Sequence, residues 1–103
     1  MAEMNLYVIL RRSGWRSAED LQEAAGRSAK VGDEEMSDDV RWIRSYVLAE
    51  ADGTLGTACI YEAVSPEAIR EHAQRVGMPA DEITPVGATV VVRADPQALA
   101  QAA

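Results

Sequence analysis

The chain has 103 residues, 48% of them hydrophobic and 26% charged, with a net charge of −7. That length suits one domain and is too short for two comfortable cores, and the balance of apolar and charged residues excludes disorder over most of the chain. The acidic balance argues against nucleic acid as the main partner, since a phosphate backbone attracts clustered Lys and Arg. Arg11, Arg12 and Arg16, then Arg41 and Arg44, form only local clusters and read as solvated ends of strands and loops. Nor does any stretch approach the ~20 apolar residues of a membrane span.

Aromatics make up 5% with no Phe, so aliphatic residues and alanine must fill most of the core. One cysteine permits no intramolecular disulfide framework. The first ten residues lack the basic start and apolar run of a secretory signal, so a reducing cytoplasm is the expected compartment.

Residues 5–11 (NLYVILR) are a continuous run of β-formers, long enough for one largely buried strand, which Ser13-Gly14 interrupts. Ser17 reads as a helix N-cap with Asp20 in the capping-box position. Leu21, Ala24, Ala25, Ser28 and Val31 recur at helical spacing, and Gly32 is the expected stop. Residues 33–39 (DEEMSDD) form an acidic loop. Residues 40–48 (VRWIRSYVL) read as a second strand, Asp52-Gly53 as a tight hairpin turn, and residues 55–63 (LGTACIYEA) as a third strand antiparallel to the second. Ser65-Pro66-Glu67 starts a helix, with a cap, a proline at the first helical position and an acid facing the positive end of the dipole. Gly77 ends it. Residues 84–93 (TPVGATVVVR) are the expected fourth strand.

Strand, helix, strand, strand, helix, strand is the order of the ferredoxin-like βαββαβ fold, an α+β class in which two helices cover one face of a four-stranded antiparallel sheet. The expected domain spans residues 1–96, with 97–103 as an alanine-rich flexible tail. Alternation puts Trp42, Tyr46 and Leu48 on one face of the second strand and Ile43 and Val47 on the other, and the fourth strand is apolar on both sides. Both sheet faces then need cover. A second copy, sheet against sheet, would supply it and give a homodimeric α/β barrel.

Candidates for chemistry are few. His72, the sole histidine, shares the apolar side of its helix with Ile69, Ala73 and Val76, where a packed core residue competes with a ligand or proton carrier. Cys59 in the third strand is either a small buried hydrophobe or a metal donor. Trp42 and Tyr46 are core residues or pocket walls, with Tyr61 and Glu62 beside them, although alternation sets Glu62 on the opposite face from Cys59 and Tyr61. The acidic run Glu34, Glu35, Asp38 and Asp39 lacks EF-hand spacing and reads as a solvated loop. No phosphate loop, Ser-His-Asp set or metal-hydrolase motif is legible, so enzyme activity is left open.

Trp42-Ile43-Arg44-Ser45-Tyr46, Cys59-Ile60-Tyr61-Glu62-Ala63, Ala68-Ile69-Arg70-Glu71-His72-Ala73 and Gly77-Met78-Pro79-Ala80, in that order, resemble a family of short bacterial proteins of unknown function. That family is typified by a nickel-binding protein with a dimeric ferredoxin-like fold. The resemblance implies the same fold and dimer, and a transition metal such as nickel bound through His72 and Cys59, which fall inside the matched motifs. Two departures stand out. Leu10-Arg11-Arg12 lies where relatives often carry an acidic residue, and Ala29 where many have a second cysteine. The alternative is a small dimeric-barrel enzyme or binder of an apolar small molecule, with His72 as acid/base, Tyr46 as hydrogen-bond donor and Trp42 as pocket wall.

Overall fold

The computed structural model describes residues 3–96, so the tail expected at 97–103 lies outside the described residues. Strands β1 (Asn5–Trp15), β2 (Val40–Ala49), β3 (Leu55–Ala63) and β4 (Glu82–Pro85) form one antiparallel sheet in the order β2-β3-β1-β4, and helices α1 (Ala18–Lys30) and α2 (Pro66–Val76) complete the ferredoxin-like order. The caps follow the sequence. Ser17 Oγ accepts from the Asp20 N–H at 3.2 Å and Ser65 Oγ from the Ala68 N–H at 3.1 Å. Gly77 closes α2 at φ 84°, a left-handed conformation that costs glycine little. In the β2–β3 hairpin Gly53 takes φ 89°.

Three local expectations change. Gly32 does not stop the first helix. The chain runs on as one π-helical turn, Val31–Glu35, closed by the Met36 N–H donating to the Val31 carbonyl, so the acidic segment begins inside a helical turn. β1 is not interrupted at Ser13-Gly14. It passes through an irregularity between Arg11 and Trp15, with Ser13 at φ 49°, and the Glu50 carboxylate accepts from the Ser13 N–H and the Arg12 guanidinium.

The fourth strand is the largest correction. It spans four residues and ends at Pro85, not at 93, and Val90, Val91 and Val92 are 88%, 76% and 77% exposed. The cause is the lack of a partner. β4 pairs only with Tyr7 to Leu10 of β1, the Val86 N–H reaches the Leu6 carbonyl, and β1 begins one residue earlier. Valine's preference for strands is a preference for packing on a neighbour, and beyond Val86 the described residues offer none.

The core lies between the helices and the facing side of β1 and β3. Ile9, Tyr61, Ala63, Ile69 and Val40 are all 2% exposed or less. On the opposite face of the sheet, Leu6, Val8, Leu10, Leu48, Ala58 and Ile60 are only half-buried.

Candidate functional site: two cavities on either flank of Tyr61

β2 carries a bulge. Trp42 pairs with Tyr61, but the next pair is Arg44 with Ile60, so Ile43 is an extra residue and the alternation resets. Trp42, Ser45 and Val47 therefore face the helices, opposite Tyr61, Cys59 and Thr57. Tyr46 goes to the other face, opposite Ala58, where its hydroxyl donates to Asp95 at 2.7 Å. The expectation that Trp42 and Tyr46 share a face fails on this one inserted residue. Glu62 lies on that far face too, 3.8 Å from Arg41, as alternation predicts. Of the four expected pocket residues, the fold brings together Trp42 and Tyr61, whose rings stack at 6.2 Å with 9° between planes, and sends Tyr46 and Glu62 elsewhere.

Trp42 and Tyr61 border two cavities of about 100 Å³ each. The first lies between α1 and the strands. Trp15, Leu21, Ala24, Ala25, Val47 and Met78 make apolar walls, and Arg11, Ser28, Ser45, Thr57 and Cys59 also border it, although nearly all of the surface turned to the cavity is apolar. A short chain of hydrogen bonds crosses its wall: Trp42 Nε1–H donates to Ser45 Oγ at 2.8 Å, and that hydroxyl donates to Cys59 Sγ at 2.9 Å.

The second cavity is bordered by Ser28, Ala29, Gly32, Asp33, Val40, Trp42, Tyr61 and His72. His72 is 1% exposed, and its Nε2–H donates to the Ser28 carbonyl at 3.1 Å. That bond fixes the proton on Nε2 and leaves Nδ1 as a buried acceptor without a partner. Burial holds the imidazole below its ordinary pKa, the charges of Arg11 and Arg75 act the same way, and the bond to the Ser28 carbonyl opposes them. His72 is thus neutral near pH 7, the form that binds metals. Ser28 joins the pieces, because its Oγ also bonds the Tyr61 hydroxyl at 2.9 Å. Burial raises the Tyr61 pKa, so the phenol stays protonated.

Cys59 and His72 do not line the same cavity. Tyr61 borders both, with Cys59 in the first only and His72 in the second only. Among the described residues no group of three or more His, Cys, Asp or Glu side chains is placed to hold a metal ion. Tested against nickel, the imidazole fits as a nitrogen donor, and Asp33 at the same cavity carries an oxygen donor, but the described residues of one chain do not gather a complete coordination set. The acidic run stays solvated, with Glu35 paired to Arg75 at 3.2 Å.

Residues 7–86 match the family described as "Nickel responsive protein SCO4226-like". The chain belongs to that family. The expected resemblance and the ferredoxin-like fold are thereby borne out, the fold also by a crystal structure of SCO4226 from Streptomyces coelicolor A3(2). That structure is 23% identical and superposes with a TM-score of 0.66 over 82% of this chain and 99% of its own. No curated protein matches the chain. Among the described residues no helix is long and apolar enough to cross a membrane.

Sequence reasoning missed two residues here. Arg11, expected at a solvated strand end, is 1% exposed, because β1 continues past it and keeps it in register with Tyr7 and Ile9 on the helix-facing side. The signal was present, an arginine at an inward position of a period-2 pattern. Thr57, its cross-strand partner, is 3% exposed.

Proposed function

We propose that this protein is a small cytoplasmic homodimeric binding protein that takes up a transition metal such as nickel, with His72 as the leading donor and Cys59 as the second. The observation that carries the reading is the neutral, buried imidazole of His72 with its Nδ1 lone pair unpartnered. A buried polar atom without a partner is costly unless something binds it. Imidazole and thiolate both suit late first-row metals, and the family's description names nickel.

The dimer is supported by the half-buried aliphatic face of the sheet, on which Tyr46 is exposed, and by the further exposed side chains of Val90, Val91 and Val92. An apolar surface of that kind on a soluble chain asks for a partner, and a second copy facing it would close a barrel.

Equilibrium dialysis with Ni²⁺, Zn²⁺ and Cu²⁺ tests the metal. Wild type should retain nickel, and His72→Ala should lose most of it. Equal uptake by both proteins removes His72 from the reading. Because the two donors open into different cavities, Cys59→Ser separates one shared ion from independent sites: a joint loss means that Tyr61 turns aside on binding. Sedimentation velocity at micromolar concentration tests the dimer, and a single boundary at the mass of one chain would sink it.

A further inference from the structure

The first cavity holds a buried positive charge that the protein does not neutralise. Arg11 Nε donates to the Pro79 carbonyl, while Nη2 is buried with no hydrogen-bond partner. No carboxylate among the described residues forms an ion pair with it. Directly across the β1–β3 ladder, Thr57 Oγ1 is buried and unpartnered as well. Both side chains border the cavity whose other walls are mainly Trp15, Leu21, Ala24, Ala25, Val47 and Met78. A guanidinium taken out of water without an anion is among the least favourable arrangements in a protein, and these two residues, paired across the ladder, both border one apolar space.

We propose that this cavity is a binding site for a small monocarboxylate with an apolar tail, its tail lying against the α1 side of the cavity and its carboxylate held by Arg11 Nη2 and the Thr57 hydroxyl, which turn from their buried positions into the cavity on binding. The charge selects one negative group. Among the described residues Arg11 is the cavity's only cationic side chain, so a phosphate dianion would bring a second charge into an apolar space with nothing to meet it. The planar guanidinium fork matches a carboxylate, and its bonds to one are charge-assisted and strong. The size selects a short tail. An apolar cavity of ~150 Å³ binds benzene, so about 100 Å³ suits an aliphatic chain of a few carbons. Trp42 and Val47, 39% and 56% exposed, lie at the rim and leave the space open to solvent. Cys59, the second metal donor proposed above, borders this cavity as well, whereas His72 borders only the other one, so a change at His72 separates the two readings.

Titration calorimetry on the full chain with acetate, butyrate, hexanoate and 1-hexanol tests it. Affinity should rise from acetate to hexanoate, and the uncharged alcohol should bind at least tenfold more weakly than hexanoate. Arg11→Met should abolish hexanoate binding, and replacing a buried unpaired charge by an apolar side chain of similar length should not unfold the protein. Should that variant fail to fold, Thr57→Val decides instead, with an expected severalfold loss of hexanoate affinity. His72→Gln should bind hexanoate as wild type does, which separates failure of this site from failure of the metal reading. Equal affinity for hexanoate and hexanol, no heat with any acid, or undiminished binding to folded Arg11→Met or Thr57→Val would overturn the proposal.

Discussion

The indole of Trp42 lies parallel to the ring of Tyr61, with centroids 6.2 Å apart, and the β2–β3 ladder bulges at Ile43 immediately after this pair. Without the bulge every residue from Arg44 onward would turn over. Ser45 would leave Cys59, and Tyr46 would enter the core. The stack is the last pair before that reset, and a double-mutant cycle of Trp42→Ala with Tyr61→Leu should give a coupling of ~0.5–1.5 kcal/mol in urea unfolding. Zero coupling would place the two rings apart.

Ser28 and Tyr61 make a second coupled pair. Their hydroxyls bond at 2.9 Å in the interior, so removing either one strands the other. Ser28→Ala and Tyr61→Phe should each cost ~1–3 kcal/mol, while the double variant should cost clearly less than the sum, because no polar atom is then left alone. Additive losses would mean that water already serves both groups.

The fold was legible because it is written in local signals. Ser17, Ser65-Pro66, Asp52-Gly53 and Gly77 each act within four residues, and the structure keeps all of them. What was not legible depends on distant partners. Valines 90–92 look like a strand by composition, but a strand needs a neighbour, and β1 has no length left to offer. A one-residue bulge leaves no mark in a run as β-rich as VRWIRSYVL, so Trp42 and Tyr46 were assigned one face and occupy two. Arg11 was hidden differently. Its inward parity was readable, yet an arginine is so seldom buried that the charge outweighed the pattern.

His72 should make stability depend on pH in a definite window. Its folded pKa lies below the ordinary 6.5, first because of burial. As pH falls, the unfolded chain takes up the proton before the folded one, so stability declines below about pH 7 and levels off under the folded pKa. Glu50 and Asp52 act later: their pKa values are lowered by bonds from Arg12 and from Thr54, and they weaken the fold only as pH drops through the carboxylate range. Urea midpoints of wild type and His72→Gln between pH 8 and 5 isolate the first effect. Wild type should lose stability across that interval while the variant stays nearly flat. Parallel curves would mean that the imidazole is solvated.

Two glycines should respond oppositely to the same substitution. A Cβ at Gly56 would stand 2.6 Å from the Arg11 carbonyl oxygen, 2.6 Å from Glu50 Oε2 and 3.2 Å from the Ser13 nitrogen. Two of those neighbours are backbone at the β1 irregularity and cannot yield without moving the strand. Glu50 is bound to Arg12 and Ser13 and cannot yield alone. Gly56→Ala should therefore cost ~1–3 kcal/mol, as overpacking does. Gly26, on the exposed side of α1, has nothing within 4 Å of the same added carbon, and Gly26→Ala should stabilise by ~0.5–1 kcal/mol through helix propensity alone. Thermal unfolding of the two variants beside wild type checks both signs at once. A neutral Gly56→Ala would mean that β1 and β3 do not close up next to Arg11, and the buried position of that guanidinium would go with it.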